Sequence, residues 1–96
     1  MIKHIVLFKL KNPTAEECQK AVDVLLEMRG KVPQIITIEA GVDFLRSERS
    51  YDVALEVTVK DREALDAYQK DEYHCSVVKP HMHAVRSGSV AIDYEI

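Results

Sequence analysis

The chain has no tryptophan, and only three glycines, three prolines and two cysteines among its 96 residues. Each scarcity removes a class of protein. So few glycines form no phosphate-cradling loop, and no G-x-S-x-G elbow of a serine hydrolase is present. Cys18 and Cys75 lack the paired spacing of C-x-x-C, which speaks for a reduced, cytoplasmic setting rather than a disulfide between them. No apolar run approaches the roughly 20 residues of a membrane helix, so no membrane partner is expected. The opening MIKHIVLFKL carries Lys3, His4 and Lys9 and no small-residue cleavage site, so it does not read as a signal peptide. Thirteen basic against sixteen acidic residues give a net charge of −3. No basic run or aromatic-and-basic stripe occurs, and nucleic acid is excluded as a partner because phosphate binding needs a concentrated positive patch.

What is present reads as one globular domain spanning residues 1–96, with 47% hydrophobic and 30% charged residues. In MIKHIVLFKL, Ile2, His4, Val6, Phe8 and Leu10 share one strand face, and Lys3, Ile5, Leu7 and Lys9 the other. Thr14 and Glu17 form a capping box for a helix over TAEECQKAVDVLLEMRG, which Gly30 terminates. QIITIEAGVDF is a second strand with Ile36, Ile38, Ala40, Val42 and Phe44 on one face. LRSERS is a charged loop, and YDVALEVTV a third strand with Tyr51, Val53, Leu55, Val57 and Val59 opposite Asp52, Ala54, Glu56 and Thr58. Asp61 caps a second helix, REALDAYQK, which EYHCSVVK continues after a kink as far as Pro80. RSGSVAIDYEI closes the chain as a strand with Val90, Ile92, Tyr94 and Ile96 on its apolar face.

This order predicts an α+β, ferredoxin-like β-α-β-β-α-β subunit, with an antiparallel sheet and two helices on one face. The helices leave the other sheet face bare, yet the first strand carries Ile5 and Leu7 there. At about 25 cal/mol per Å² of apolar surface, covering such side chains is worth a few kcal/mol, a large share of a small domain's stability. A second copy of the sheet is the economical cover. The expectation is a homodimer with Ile5 and Leu7 in its interface.

IKHIVLFKLK at the start, VPQIITIEAGVDFLRSERSYDVALEVTV in the middle and IDYE at the end resemble the stress-responsive A/B barrel (Dabb) family. The likeness runs from Ile2 to Glu95. It implies a ferredoxin-like subunit whose sheet pairs with its partner's into a dimeric α+β barrel. One branch of that family, olivetolic acid cyclase, carries a Tyr six residues before a His on the second helix, and uses the pair in an aldol cyclisation. Tyr68 and His74 stand at those positions here, and His4 matches a first-strand histidine of the same pocket. Asp71-Glu72 replaces the His-Pro frequent in the family. The absence of tryptophan counts against the superfamily's haem-degrading branch.

The residues themselves leave two readings open. On a regular helix the six residues from Tyr68 to His74 make a net rotation of about 240°, which is not one face, so a kink between Lys70 and Glu72 is needed to bring them to one pocket. There, His74 could take a proton from a carbon acid while Tyr68 donates to an enolate oxygen. The pocket expected around them is lined by Val6, Phe8, Val22, Leu25, Leu26, Ile38 and Leu55. The alternative is a tyrosine and a histidine satisfied within the core. His81 and His83 form an H-x-H pair, but Pro80 breaks their register with His74 and no second ligand pair exists. They read as solvated residues of a connecting segment, and neither metal nor cofactor is expected. Glu56 is expected to pair with Lys3 or Lys9. The function is then a small-molecule-binding or stress-associated module, or a cyclase, lyase or isomerase acting on a carbonyl compound. An open pocket favours the second, and a solid one the first.

Overall fold

Alternation in the first ten residues becomes β1 (Ile2–Leu10), an inner strand of a four-stranded antiparallel sheet in the computed structural model, which describes residues 1–96. The sheet runs β2-β3-β1-β4, with β2 at Thr37–Val42, β3 at Val53–Val59 and β4 at Arg86–Glu95. Register places Ile2, His4, Val6 and Phe8 beside Val59, Val57, Leu55 and Val53, all on the helix-covered face. β2 adds Ile38 and Ala40 to that face. β2 is shorter than its alternation suggests: Ile36 precedes it and Phe44 follows it, and both side chains are exposed.

Helix α1 (Ala15–Leu26) begins where Thr14 Oγ1 accepts the Glu17 N–H at 3.1 Å, a cap worth about 1 kcal/mol. It buries Cys18, Ala21, Val22 and Leu25 and packs chiefly on β2 and β3. Gly30 turns the chain with φ +80°, a conformation open to glycine at little cost. Between β2 and β3, the buried Asp52 ties the loop to the end of β1. Its Oδ2 accepts the Leu10 N–H at 2.7 Å and its Oδ1 accepts from Arg46 at 2.6 Å. Burial alone would raise this carboxyl's pKa, but the Leu10 N–H and the guanidinium hold it below the usual carboxylate range. Arg46 itself sits at φ +54°, a left-handed conformation uncommon outside glycine, with its N–H donating to Asp43 Oδ2 at 2.7 Å.

After α2 (Arg62–Lys70) the sequence suggests a kinked continuation ending at Pro80, and the structure corrects this. A π-helical turn over His74–Val78 leads directly into a third helix, α3 (Lys79–Val85). Pro80 lies in the first turn of α3, where a missing N–H costs no helical bond. No helix is long and apolar enough to cross a membrane. Cys18 is buried, Cys75 is exposed, and both are free thiols.

The opposite sheet face has no cover. Ile5 pairs with Ile92 and Leu7 with Val90 across β1 and β4, so these four side chains form one apolar patch on it. Ile92 is 59% exposed and Val90 47%. The apolar face of the last strand is thus the bare one. Lys3 Nζ meets Glu56 Oε1 on the same face at 2.7 Å.

Candidate functional site

The site is built at a break in the helical layer. Asp61 Oδ1 accepts the Ala64 N–H at 2.8 Å and starts α2. Asp71 ends it, with ψ 137° in place of a helical value. Its carboxylate then accepts the His74 N–H at 3.1 Å and its carbonyl the Cys75 N–H at 2.9 Å, restarting the helix in a new direction. Asp71, one of the two residues that stand in place of His-Pro, makes the turn. Tyr68 and His74, which a continuous helix would hold apart, have ring centroids 4.5 Å from each other. His4 approaches from β1, its ring centroid 5.5 Å from that of Tyr68 in an edge-on arrangement. Tyr68 is therefore packed between two imidazoles.

Each imidazole is fixed through Nδ1. That of His74 donates to the Tyr68 carbonyl at 3.0 Å, so Nε2 carries the lone pair. That of His4 meets Asp93 Oδ1 at 2.5 Å, across the β1–β4 register pair of the same two residues. Both side chains are buried, yet neither Nε2 is a fully enclosed atom without a partner: each keeps some surface open. Burial lowers the His74 pKa, with a smaller push from Lys79, and so keeps the ring neutral and able to accept a proton. Burial likewise raises the Tyr68 pKa and keeps the phenol protonated.

These groups line a cavity of about 240 Å³ between the sheet and the π-turn with α3. Of the expected pocket residues, His4, Val6, Phe8, Leu25, Leu55, Tyr68 and His74 line it. Val22, Leu26 and Ile38 do not. Val22 and Ile38 are packed into the solid core between α1 and β2, at the far end of the sheet from β4, and Leu26 packs against the edge of that core. His83 is not a residue of a connecting segment: it lies on α3 and lines the cavity, as do Lys79 and Arg86. His81 is also on α3, half-buried, with its Nε2 enclosed and unpartnered. No group of three or more His, Cys, Asp or Glu side chains is placed to share a metal ion.

The Tyr68 hydroxyl does not take the position expected of a donor to an enolate oxygen. It is fully buried and bonds the Met28 sulfur at 3.9 Å, facing α1's end rather than a ligand oxygen. Asp93 is one site residue that the sequence reading missed, as are Lys79 and Arg86. A signal existed for Asp93: with Val90, Ile92 and Tyr94 on one face of β4, Ala91 and Asp93 must occupy the other.

The sequence profile of the Stress Responsive A/B Barrel Domain matches residues 2–96. No curated protein matches the chain. Among solved structures, a dimeric ferredoxin-like protein of unknown function from Thermobifida fusca superimposes with a TM-score of 0.84, at 20% identity over 99% of this chain and 90% of that one. A dimeric protein of the same fold from Bacteroides fragilis gives 0.81, at 24% identity over 99% and 95%. A Dabb family protein with a ferredoxin-like fold from Mesorhizobium loti gives 0.76, at 18% identity over 99% and 95%. At such identities the likeness establishes the fold.

Proposed function

The chain belongs to the stress-responsive A/B barrel family, and from that placement we propose that it is a homodimer whose subunits each bind a small carbonyl compound and move a proton beside its carbonyl. The observation that carries this reading is the convergence of His4 and His74 on one open cavity, each with Nδ1 already committed. In the step, His74 Nε2 takes the proton from the carbon next to the carbonyl. The C–H electron pair becomes a C=C bond, and the carbonyl π pair moves onto oxygen. A protonated His4, held by Asp93, gives its Nε2 proton to that oxygen, leaving an enol, a neutral His4 and a protonated His74. Tyr68 separates the two rings and sets their spacing.

The test is exchange of α-hydrogens for deuterium in a panel of small ketones and keto acids, followed by proton NMR in D₂O. Exchange above buffer is expected, falling about 100-fold or more in His74→Ala, the usual contribution of a general base. No exchange with any member of the panel would overturn the catalytic step. The Tyr68 hydroxyl, engaged by Met28 instead of the cavity, favours a second reading: a module that binds such a compound without turning it over. Ligand-induced shifts at His74 without exchange would select it.

Dimerisation follows from the patch of Ile5, Leu7, Val90 and Ile92, and the dimeric relatives of the same fold support it. Sedimentation should find a dimer at micromolar concentration. Leu7→Asp, which sets a charge in that patch, should give a monomer or an unfolded chain. A wild-type monomer would rule the dimer out.

A further inference from the structure

The cavity is lined by two cations besides its three histidines. Lys79 and Arg86 both line it, and no Asp or Glu does. In a chain with sixteen acidic residues against thirteen basic ones, that is the reverse of the composition. The two carboxylates beside the site are committed elsewhere: Asp71 caps the His74 N–H, and Asp93 holds His4. The ion pairs of the chain are made by other cations, so neither Lys79 nor Arg86 has a carboxylate partner.

Both also keep donors free. Lys79 Nζ bonds the Gln69 carbonyl at 2.9 Å, which leaves two of its three N–H groups. Arg86 Nη1 bonds the Ser89 hydroxyl at 3.1 Å, which leaves four of five. Lys79 also donates its backbone N–H to the His74 carbonyl, so the ammonium stem leaves the chain one π-turn beyond the base. Arg86 opens β4 at the end of the strand away from Asp93. A half-buried cation without a counter-ion has lost water and gained no opposite charge, only one neutral acceptor in each case here, and an anionic ligand would offset that cost. The remaining wall, with Val6, Phe8, Leu25, Leu55 and Met82, is apolar. At about 240 Å³ the cavity lies below the roughly 300–1,000 Å³ of clefts for drug-sized ligands, so its occupant is limited to a short chain or a single ring.

We propose that the ligand is a small monocarboxylate with an apolar body, its carboxylate held by Lys79 and Arg86 and its reacting carbon turned to His74. This rests on the cavity being the ligand site, and adds the class of compound that enters it.

The experiment compares benzoate, phenylacetate and 4-oxopentanoate with their neutral amides at fixed ionic strength, following His74 and Ala91 resonances by NMR. Each carboxylate should bind at least about 10-fold more tightly than its amide, as a charge-assisted bond requires. The Lys79→Met, Arg86→Met double variant should bring each pair within about 2-fold while the amides bind as before. Amides that bind the wild type as tightly as the carboxylates would overturn the inference and leave the cavity reading standing. A preference that survives the double variant would also overturn it. Shifts from neither set would remove both this inference and the cavity as a ligand site. The wild-type comparison decides the matter even if the double variant does not fold.

Discussion

Beneath the helices, the two ends of the sheet are filled in opposite ways. β3 turns Val53, Leu55, Val57 and Val59 toward the helices, where α1 meets them and closes a solid core with Val22 and Ile38. β4 turns Ser89, Ala91 and Asp93 toward the helices and keeps Val90, Ile92 and Tyr94 for the bare face. The same two-residue period is therefore used inside out. Large side chains beneath α1 supply cohesion. Small ones beneath the π-turn and α3 leave room, and the polar groups around that room include three imidazoles, the carboxylate that holds one of them and two cations. Cohesion and chemistry divide the sheet between them.

The division is broken most strongly by damage at the packed end. Met28 follows α1, is fully buried and accepts the Tyr68 hydroxyl. Met28→Ala should cost about 2–5 kcal/mol in urea unfolding, since it opens a cavity in close packing and leaves a buried hydroxyl without its partner. A cost below about 1 kcal/mol would mean that this end is not tightly packed.

Most of this architecture could be read from residue periods, because a strand or helix buried on one face repeats locally. The capping roles of Thr14 and Asp61, the alternation of β1 and the Lys3–Glu56 pair each depend on residues close in sequence or facing each other in a simple register. The cavity does not. Its volume comes from small side chains on β4 lying opposite a π-turn whose geometry Asp71 sets, and no single window of sequence contains both. Pro80 misled for a related reason. It normally ends a helix, but as the second residue of a new helix it is tolerated. Val22, Leu26 and Ile38 show the same limit: periodicity identifies them as apolar and inward-facing, but not which end of the sheet they fill.

A smaller effect should come from filling the open end. Ala91→Leu adds carbon atoms where the structure has space, so its stability should stay within about 1 kcal/mol of the wild type, where overpacking a tight core costs about 1–3 kcal/mol. The same change should abolish the ligand-induced shifts at His74. A loss of several kcal/mol, or unchanged ligand shifts, would mean that the space beside Ala91 is not the binding cavity.

The smallest effect sharpens the comparison, since it isolates one titrating group at the open end. Burial lowers the pKa of His74 in the folded chain, while the unfolded chain has the ordinary value near 6.5. Above that value both states are neutral at this position and no penalty exists. As the pH falls through it, the unfolded chain takes up a proton that the folded one still refuses, so stability declines until the folded-state pKa is reached. The slope from one such group cannot exceed about 1.4 kcal/mol per pH unit. Asp52, whose folded pKa is also lowered, acts in the same direction but only in the carboxylate range, well below this window. Unfolding by urea at pH 7.5 and 5.5 should therefore show a loss of stability on acidification that is smaller in His74→Gln, which cannot titrate. If His74→Gln loses as much stability as the wild type between those two values, the imidazole is not held neutral by its surroundings, and the open end lacks the base that the proposed proton transfer needs.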